Sequence, residues 1–218
     1  MNDKSTKLLD YVQLLDHDLS IGGFSCLSDI RTRIADGRIQ SKRELEEFFL
    51  HPMRIRLVDQ DSSAIQSIYK AAELSDSSSI ANTDKLLGRL TKDEYTTARK
   101  QGARQFKLAQ ALYPWLNLGP LENIVREHFG PTCLATIHAY INYQLGIGCD
   151  QAVHGYIRSG VNACVVEAAS SLHIPRSEAD ILASHWTVQT EKAWLTKKDS
   201  LTQEAFDSFT HSHHHHIA

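Results

Sequence analysis

DQAVHGYIRSGVNACVVEAASSL, residues 150–172, is the stretch that decides the fold. It holds no proline, and Asp150 stands where an N-cap would accept from the first free N–H groups of a helix. Small residues recur along it: Ala152, Gly155, Ser159, Gly160, Ala163, Ala168 and Ala169. Side chains of that size let neighbouring backbones approach closely. The stretch therefore predicts a central helix around which others pack.

Working outward, helix signals continue in both directions. Upstream, Gly130-Pro131 opens a predicted helix bearing Leu134, Ile137, His138, Ile141 and Leu145, since proline is pre-set for a first helical turn. Gly146-Ile147-Gly148 reads as its C-cap. Downstream, Ser177 is expected to cap a helix through Ile181, Leu182 and Trp186 to about Trp194. Further back, Gly119-Pro120 starts a short helix, and Thr91-Lys92-Asp93-Glu94 carries the capping-box pattern before a long helix through Tyr95, Gly102, Phe106 and Ala109 that Pro114 breaks. Ser41-Lys42-Arg43-Glu44 repeats that pattern ahead of a helix to about Val58, and Asp61 is expected to cap the next, with Ala64, Ile65, Ile68 and Ala72. The serine-rich run Ser75 to Ser79 reads as a loop. Near the start, Leu8, Leu9, Val12 and Leu15 fall on one helical face, followed by a turn at Leu19-Ser20-Ile21-Gly22-Gly23-Phe24-Ser25.

No window alternates as a strand does. The reading is an all-α, single-domain bundle of about eight to ten helices over residues 1–196, with a polar, His-rich, flexible tail over 197–218. With 42% hydrophobic and 22% charged residues the chain can bury a core and fold alone. A net charge of -3 argues against nucleic acid as the partner. Neither an apolar leader nor a run of membrane-spanning length is present, so the expected location is cytoplasmic, with no membrane association. Cys26, Cys133, Cys149 and Cys164 are scattered without metal-ligand spacing and read as small buried side chains.

Catalytic patterns are missing. Gly23-Phe24-Ser25-Cys26-Leu27 lacks the second glycine of a nucleophile elbow, Gly146-Ile147-Gly148 lacks the third glycine of a dinucleotide fingerprint, and there is neither a phosphate loop nor an H-E-x-x-H pair. Glu46-Glu47 and Asp93-Glu94 are sequence neighbours that point to different helix faces. His138, His154, His173 and His185 each read as an isolated side chain within or at the end of a helix. The exception is His211-Ser212-His213-His214-His215-His216, whose imidazoles can chelate a borderline divalent metal such as nickel. The bland reading of that run is a purification tag.

Two stretches together resemble the urease accessory protein UreF family. Leu19-Ser20-Ile21-Gly22-Gly23-Phe24-Ser25 is similar to the family's L-P-[IV]-G-[AG]-F-S turn, and Gly102-Ala103-Arg104-Gln105-Phe106-Lys107-Leu108-Ala109 to its G-x-R-x-x-[KR]-L-A helix. His128 to Gly146 and Ala152 to Ala169 look like the family's two packed C-terminal helices. The turn departs from F-S-H-S-x-G-L-E at Cys26 and at Ser28-Asp29-Ile30, and Ser170 to Arg176 stands where the family has R-x-I-P-L-G-Q. The resemblance implies a non-enzymatic helical homodimer that bridges a UreD/UreH-type accessory protein and a UreG-type GTPase, helping nickel reach apo-urease. No tightly bound cofactor is implied, only transient nickel, for which His211, His213, His214, His215 and His216 are the candidate ligands. Gly22, Gly23, Phe24, Ser25, Gly102, Arg104 and Lys107 are the candidate partner-binding or structural residues. Two other readings stand beside this one: a diverged helical adaptor outside the urease pathway, and a haem-oxygenase-like enzyme with His17 on the iron.

Overall fold

In a computed structural model of the chain, residues 30–89, 92–127 and 132–214 are described, apart from the side chains of 92–97 and 201–214. The expected first helix, the Gly22–Ser25 turn, His17, Cys26 and the Gly130-Pro131 start lie outside the described residues. Among the described residues there is no strand, and the chain is all-α as expected. Its helices are α1 (Ile30–Ala35), α2 (Lys42–Phe48), α3 (Ser63–Glu73), α4 (Ser77–Leu87), α5 (Lys92–Leu112), α6 (Gly119–Glu127), α7 (Leu134–Gln144), α8 (Cys149–Leu172) and α9 (Arg176–His214).

The capping box before α2 forms as read. Ser41 Oγ accepts from the Glu44 N–H, and the Glu44 carboxylate accepts from Ser41 N at 3.1 Å and Gln40 N at 2.7 Å. Those bonds, the one from Gln40 foremost, hold the Glu44 carboxyl below its ordinary range.

The expected break near Val58 and cap at Asp61 do not occur. The helix runs on from α2 into α3 through two π-helical stretches, Phe49–Met53 and Arg56–Ser62. The reason is a ladder in the sequence: Leu45, Phe49, Met53, Leu57, Asp61, Ile65 and Tyr69 are spaced by four, and all are buried. Four residues of α-helix overshoot a full turn by about 40°, so six such steps would carry the ladder off the core. The wider π turns undo that drift and keep it facing inward. Ser62 Oγ donates to the Leu57 carbonyl at 2.6 Å and Lys197 Nζ to that of Asp59 at 3.3 Å. Both bonds satisfy carbonyl groups inside the second π stretch.

The serine-rich run is also more helical than expected. Within it only Ser75 takes a left-handed conformation (φ 56°), closing α3 with Asp76 N–H bonded back to the Ala71 carbonyl. Asp76 then caps α4 by accepting from Ser79 N at 3.0 Å, so Ser77 to Ser79 form its first turn. Asp150 and Ser177 are not caps: α8 begins at Cys149 after Gly148, α9 begins at Arg176 after Pro175, and each expected cap sits inside its helix's first turn. Gly146 does close α7, at φ 73°.

Helix α8 lies at the centre, packed against α9, α1, α7, α3 and the second π stretch. Its small residues face inward within one chain, Ala152, Gly155, Gly160, Ala163 and Ala168 all being buried. Helix α9 runs antiparallel to it, with Lys198 returning to Asp150 at the start of α8. It places Trp186 flat on Phe49, with ring centroids 4.2 Å apart. The change to a flexible tail expected at Lys197 is not seen in the backbone. Helix α9 continues to His214, and Lys197 and Lys198 are bound back to Asp59 and Asp150 at 2.7 and 2.6 Å.

Candidate functional site

Gly102 sits where α5 crosses the start of α7. A Cβ at this position would lie 2.1 Å from the Thr132 carbonyl oxygen and 2.9 Å from the Cys133 carbonyl carbon, so no other residue fits without moving backbone. A second anchor lies one turn earlier. Asp84, fully buried on α4, accepts from Cys133 N at 2.8 Å and Thr136 Oγ1 at 2.7 Å, and its other oxygen is 3.5 Å from Arg99 on α5. Cys133 supplies no side-chain cap of its own. The Asp84 carboxylate therefore caps α7 from a different helix, where the helix dipole favours negative charge. Burial, and next the Asp84 charge, push the Cys133 thiol far above its ordinary value, which keeps it protonated and unreactive.

Successive residues of an α-helix turn by about 100°, which puts Arg104 and Lys107 on the face of α5 opposite Gly102 and Ala109. Both are exposed, as is Lys100 on the same stripe, and among the described residues none of the three meets a carboxylate. The G-x-R-x-x-K spacing thus divides one helix into an inward seat and an outward row of cations.

The remaining candidates are not brought together. His138 is fully buried on α7, its Nε2 donating to the Ala152 carbonyl at 2.9 Å and its ring edge-on to Tyr156 at 5.1 Å. Burial lowers its pKa to about 4. His154 pairs with Glu191 at 3.1 Å, His185 bonds to Gln189 at 2.9 Å, and His173 closes α8 in a left-handed conformation. Among the described residues no group of three metal-ligating side chains forms. His211, His213 and His214 fall on the last turns of α9, and His215 and His216 lie outside the described residues.

Two buried acids have roles that the sequence did not reveal, Asp61 having been expected only as a helix cap. Besides Asp84, Asp61 lies 3.5 Å from Arg56 and accepts from the Tyr156 hydroxyl at 3.0 Å, which ties the second π stretch to α8. Burial, with the Asp61 charge second, raises the Tyr156 phenol well above its ordinary value. In the sequence both aspartates look like helix-surface or cap residues, because the Cys133 N–H and the Tyr156 hydroxyl that bond to them lie 49 and 95 positions away. Among the described residues no helix is long and apolar enough to cross a membrane.

No curated protein matches the chain. A family model does: the one described as UreF, over residues 39–170. The matched region runs from just before α2 almost to the end of α8. It takes in Gly102, Arg104 and Lys107, and leaves out both Gly22–Ser25 and α9.

Proposed function

The chain belongs to the UreF family of urease accessory proteins, and from that premise we propose that it works as a non-enzymatic scaffold, bridging a UreD/UreH-type protein and a UreG-type GTPase while nickel passes to apo-urease. The observation that carries the reading is the division of α5 inside the matched region. Gly102 and Arg99 fix the helix to α7 and α4, so that Lys100, Arg104 and Lys107 are presented on a rigid support. Side chains held in this way lose less entropy on binding than side chains on a loop. The strongly shifted interior groups, Cys133, His138 and Tyr156, are enclosed by packing and positioned for structure rather than for turnover.

Deleting the gene in a host that makes urease, then restoring it, is the test. Nickel-dependent urease activity should fall on deletion and return with the wild-type chain, and the purified chain should hold a UreD/UreH-type protein on a column. Full urease activity in the deletion strain would favour the adaptor reading, to which the departures at Cys26, Asp29 and Ser170 already point.

Homodimerisation belongs to the same proposal. Most of the small residues of α8, Ala152, Gly155, Gly160, Ala163 and Ala168 among them, are buried within one chain, whereas α9 exposes Ile181, Val188 and Leu195 at intervals of seven, the better pairing face. A dimer mass by light scattering is expected, reduced to that of a monomer by Val188→Glu. For transient nickel, the full chain should bind more than a chain ending at Thr210, and less as pH falls below about 6.5, because imidazole binds metal only when neutral. Equal binding by the two would remove the tail from the proposal.

A further inference from the structure

Exposed apolar side chains stand at the C-terminal end of α5, near its row of cations. Lys100, Arg104, Lys107 and Ala111 are all exposed. At about 100° and about 1.5 Å per residue they share a face spanning about 60° and running about 16 Å along the axis. Just past the helix, beyond Pro114, the chain sets out Trp115 at 67% exposure, with Leu112 also exposed. Trp115 is held in place by the buried Tyr113, whose ring meets it edge-on at 5.5 Å. One flank is closed by Gln110, which holds the Glu122 carboxylate of α6 at 3.1 Å.

We propose that this end of α5 docks an acidic protein segment with an apolar end, its carboxylates set against Lys100, Arg104 and Lys107 and its apolar end against Trp115. Three cations at helical spacing, which meet no carboxylate among the described residues, are complementary to carboxylates repeating at the same pitch. An exposed tryptophan is the side chain that most often anchors such an interface. Nucleic acid is disfavoured, since three phosphate contacts release few counterions and the chain as a whole carries a net charge of -3. The inference names the chemistry of one partner of the scaffold proposed above and rests on that reading only for the existence of a partner.

Tryptophan fluorescence offers a direct readout, because Trp186 and Trp194 are buried and iodide quenching therefore reports on Trp115. The full chain would be titrated with four probes: a helical peptide with glutamates at i, i+4 and i+7 and leucines at one end; its glutamine twin; a short DNA duplex; and phosphatidylglycerol vesicles. Saturable binding of the glutamate peptide is expected, with Trp115 shielded from iodide and affinity falling as salt is raised. The glutamine twin and the Arg104→Glu/Lys107→Glu variant should each bind at least ten-fold more weakly, and Arg104→Lys should bind nearly as wild type. Circular dichroism is expected to show both variants folded, as the altered side chains are exposed. Equal binding of the two peptides, an unaffected charge-reversal variant, tighter binding to DNA or vesicles, or no saturation by any peptide would each overturn the proposal. If deletion abolishes urease activity while the glutamate peptide fails to bind, the docking inference falls and the scaffold reading stands. If the peptide binds as expected while urease matures normally without this chain, the docking inference stands and the urease reading falls.

Discussion

Helices α5 and α8 are of similar length and lie within the same matched region, yet they are built to opposite plans. Helix α8 is packed on several sides and buries a run of small and apolar residues against its neighbours, so most of its information is directed inward. Helix α5 touches the body along one line, at Arg99, Gly102 and Ala109, and gives the opposite line to cations that nothing among the described residues uses. The contrast teaches that α8 makes the fold while α5 makes a surface the fold does not need. A change at a buried position of α8 should therefore read out as stability, and a change on α5 should read out as stability or as binding according to which line it strikes.

The largest effect should come from the inward line of α5. Gly102→Val drives a side chain into the Thr132 carbonyl. It is expected to cost more than about 5 kcal/mol, seen as loss of the cooperative thermal transition. A stable, folded valine variant would mean that α5 is not seated as described. Next is Asp84→Ala, which removes the cap of α7 and leaves Arg99 beside an empty site. About 3–5 kcal/mol of destabilisation by urea unfolding is expected, as for a broken buried pair.

A pH effect follows from His138, on α7 against α8. Its pKa is about 4 in the fold and near 6.5 when unfolded, so between those values the unfolded chain binds the extra proton. Stability is complete above about pH 6.5 and falls as pH drops toward 4, by about 3 kcal/mol in all. The slope of unfolding free energy across that window should flatten in His138→Gln.

On α8 itself, Ala163→Leu should overpack the centre and cost about 1–3 kcal/mol in urea unfolding, although the change is apolar to apolar. The smallest effect should be that of Arg104→Ala, whose side chain is exposed. Its stability by the same measurement should stay within about 0.5 kcal/mol of wild type. A larger loss would show that the outward line of α5 also supports the fold, and would erase the contrast.

Much of the frame was legible because its signals are local. The Ser41 and Glu44 capping box, the stop before Pro114, the start at Gly119-Pro120 and the closing glycine at 146 each concern residues within a few positions of one another. Readings failed where a local cue was outvoted from a distance. Asp61 looks like a cap but is held by Arg56 and Tyr156, and the four-residue ladder from Leu45 to Tyr69 holds as one rod only because the core behind it is continuous. The polar residues after Lys197 suggested an end to regular structure, whereas the backbone of α9 carries on.

By itself the sequence determined the all-α class, the placing of α8 at the centre, and the spacing that sets Gly102 against Arg104 and Lys107 on opposite faces. These follow from periodicity and residue size, which act over one or two turns. Only the tertiary structure decided which face of α5 is inside, that Asp84 caps a helix 49 residues away, and that His138 is enclosed rather than available to a metal. Each of those depends on what stands across a helix-to-helix gap. Desolvation and steric fit there are properties of two surfaces meeting, and no single stretch of sequence contains both.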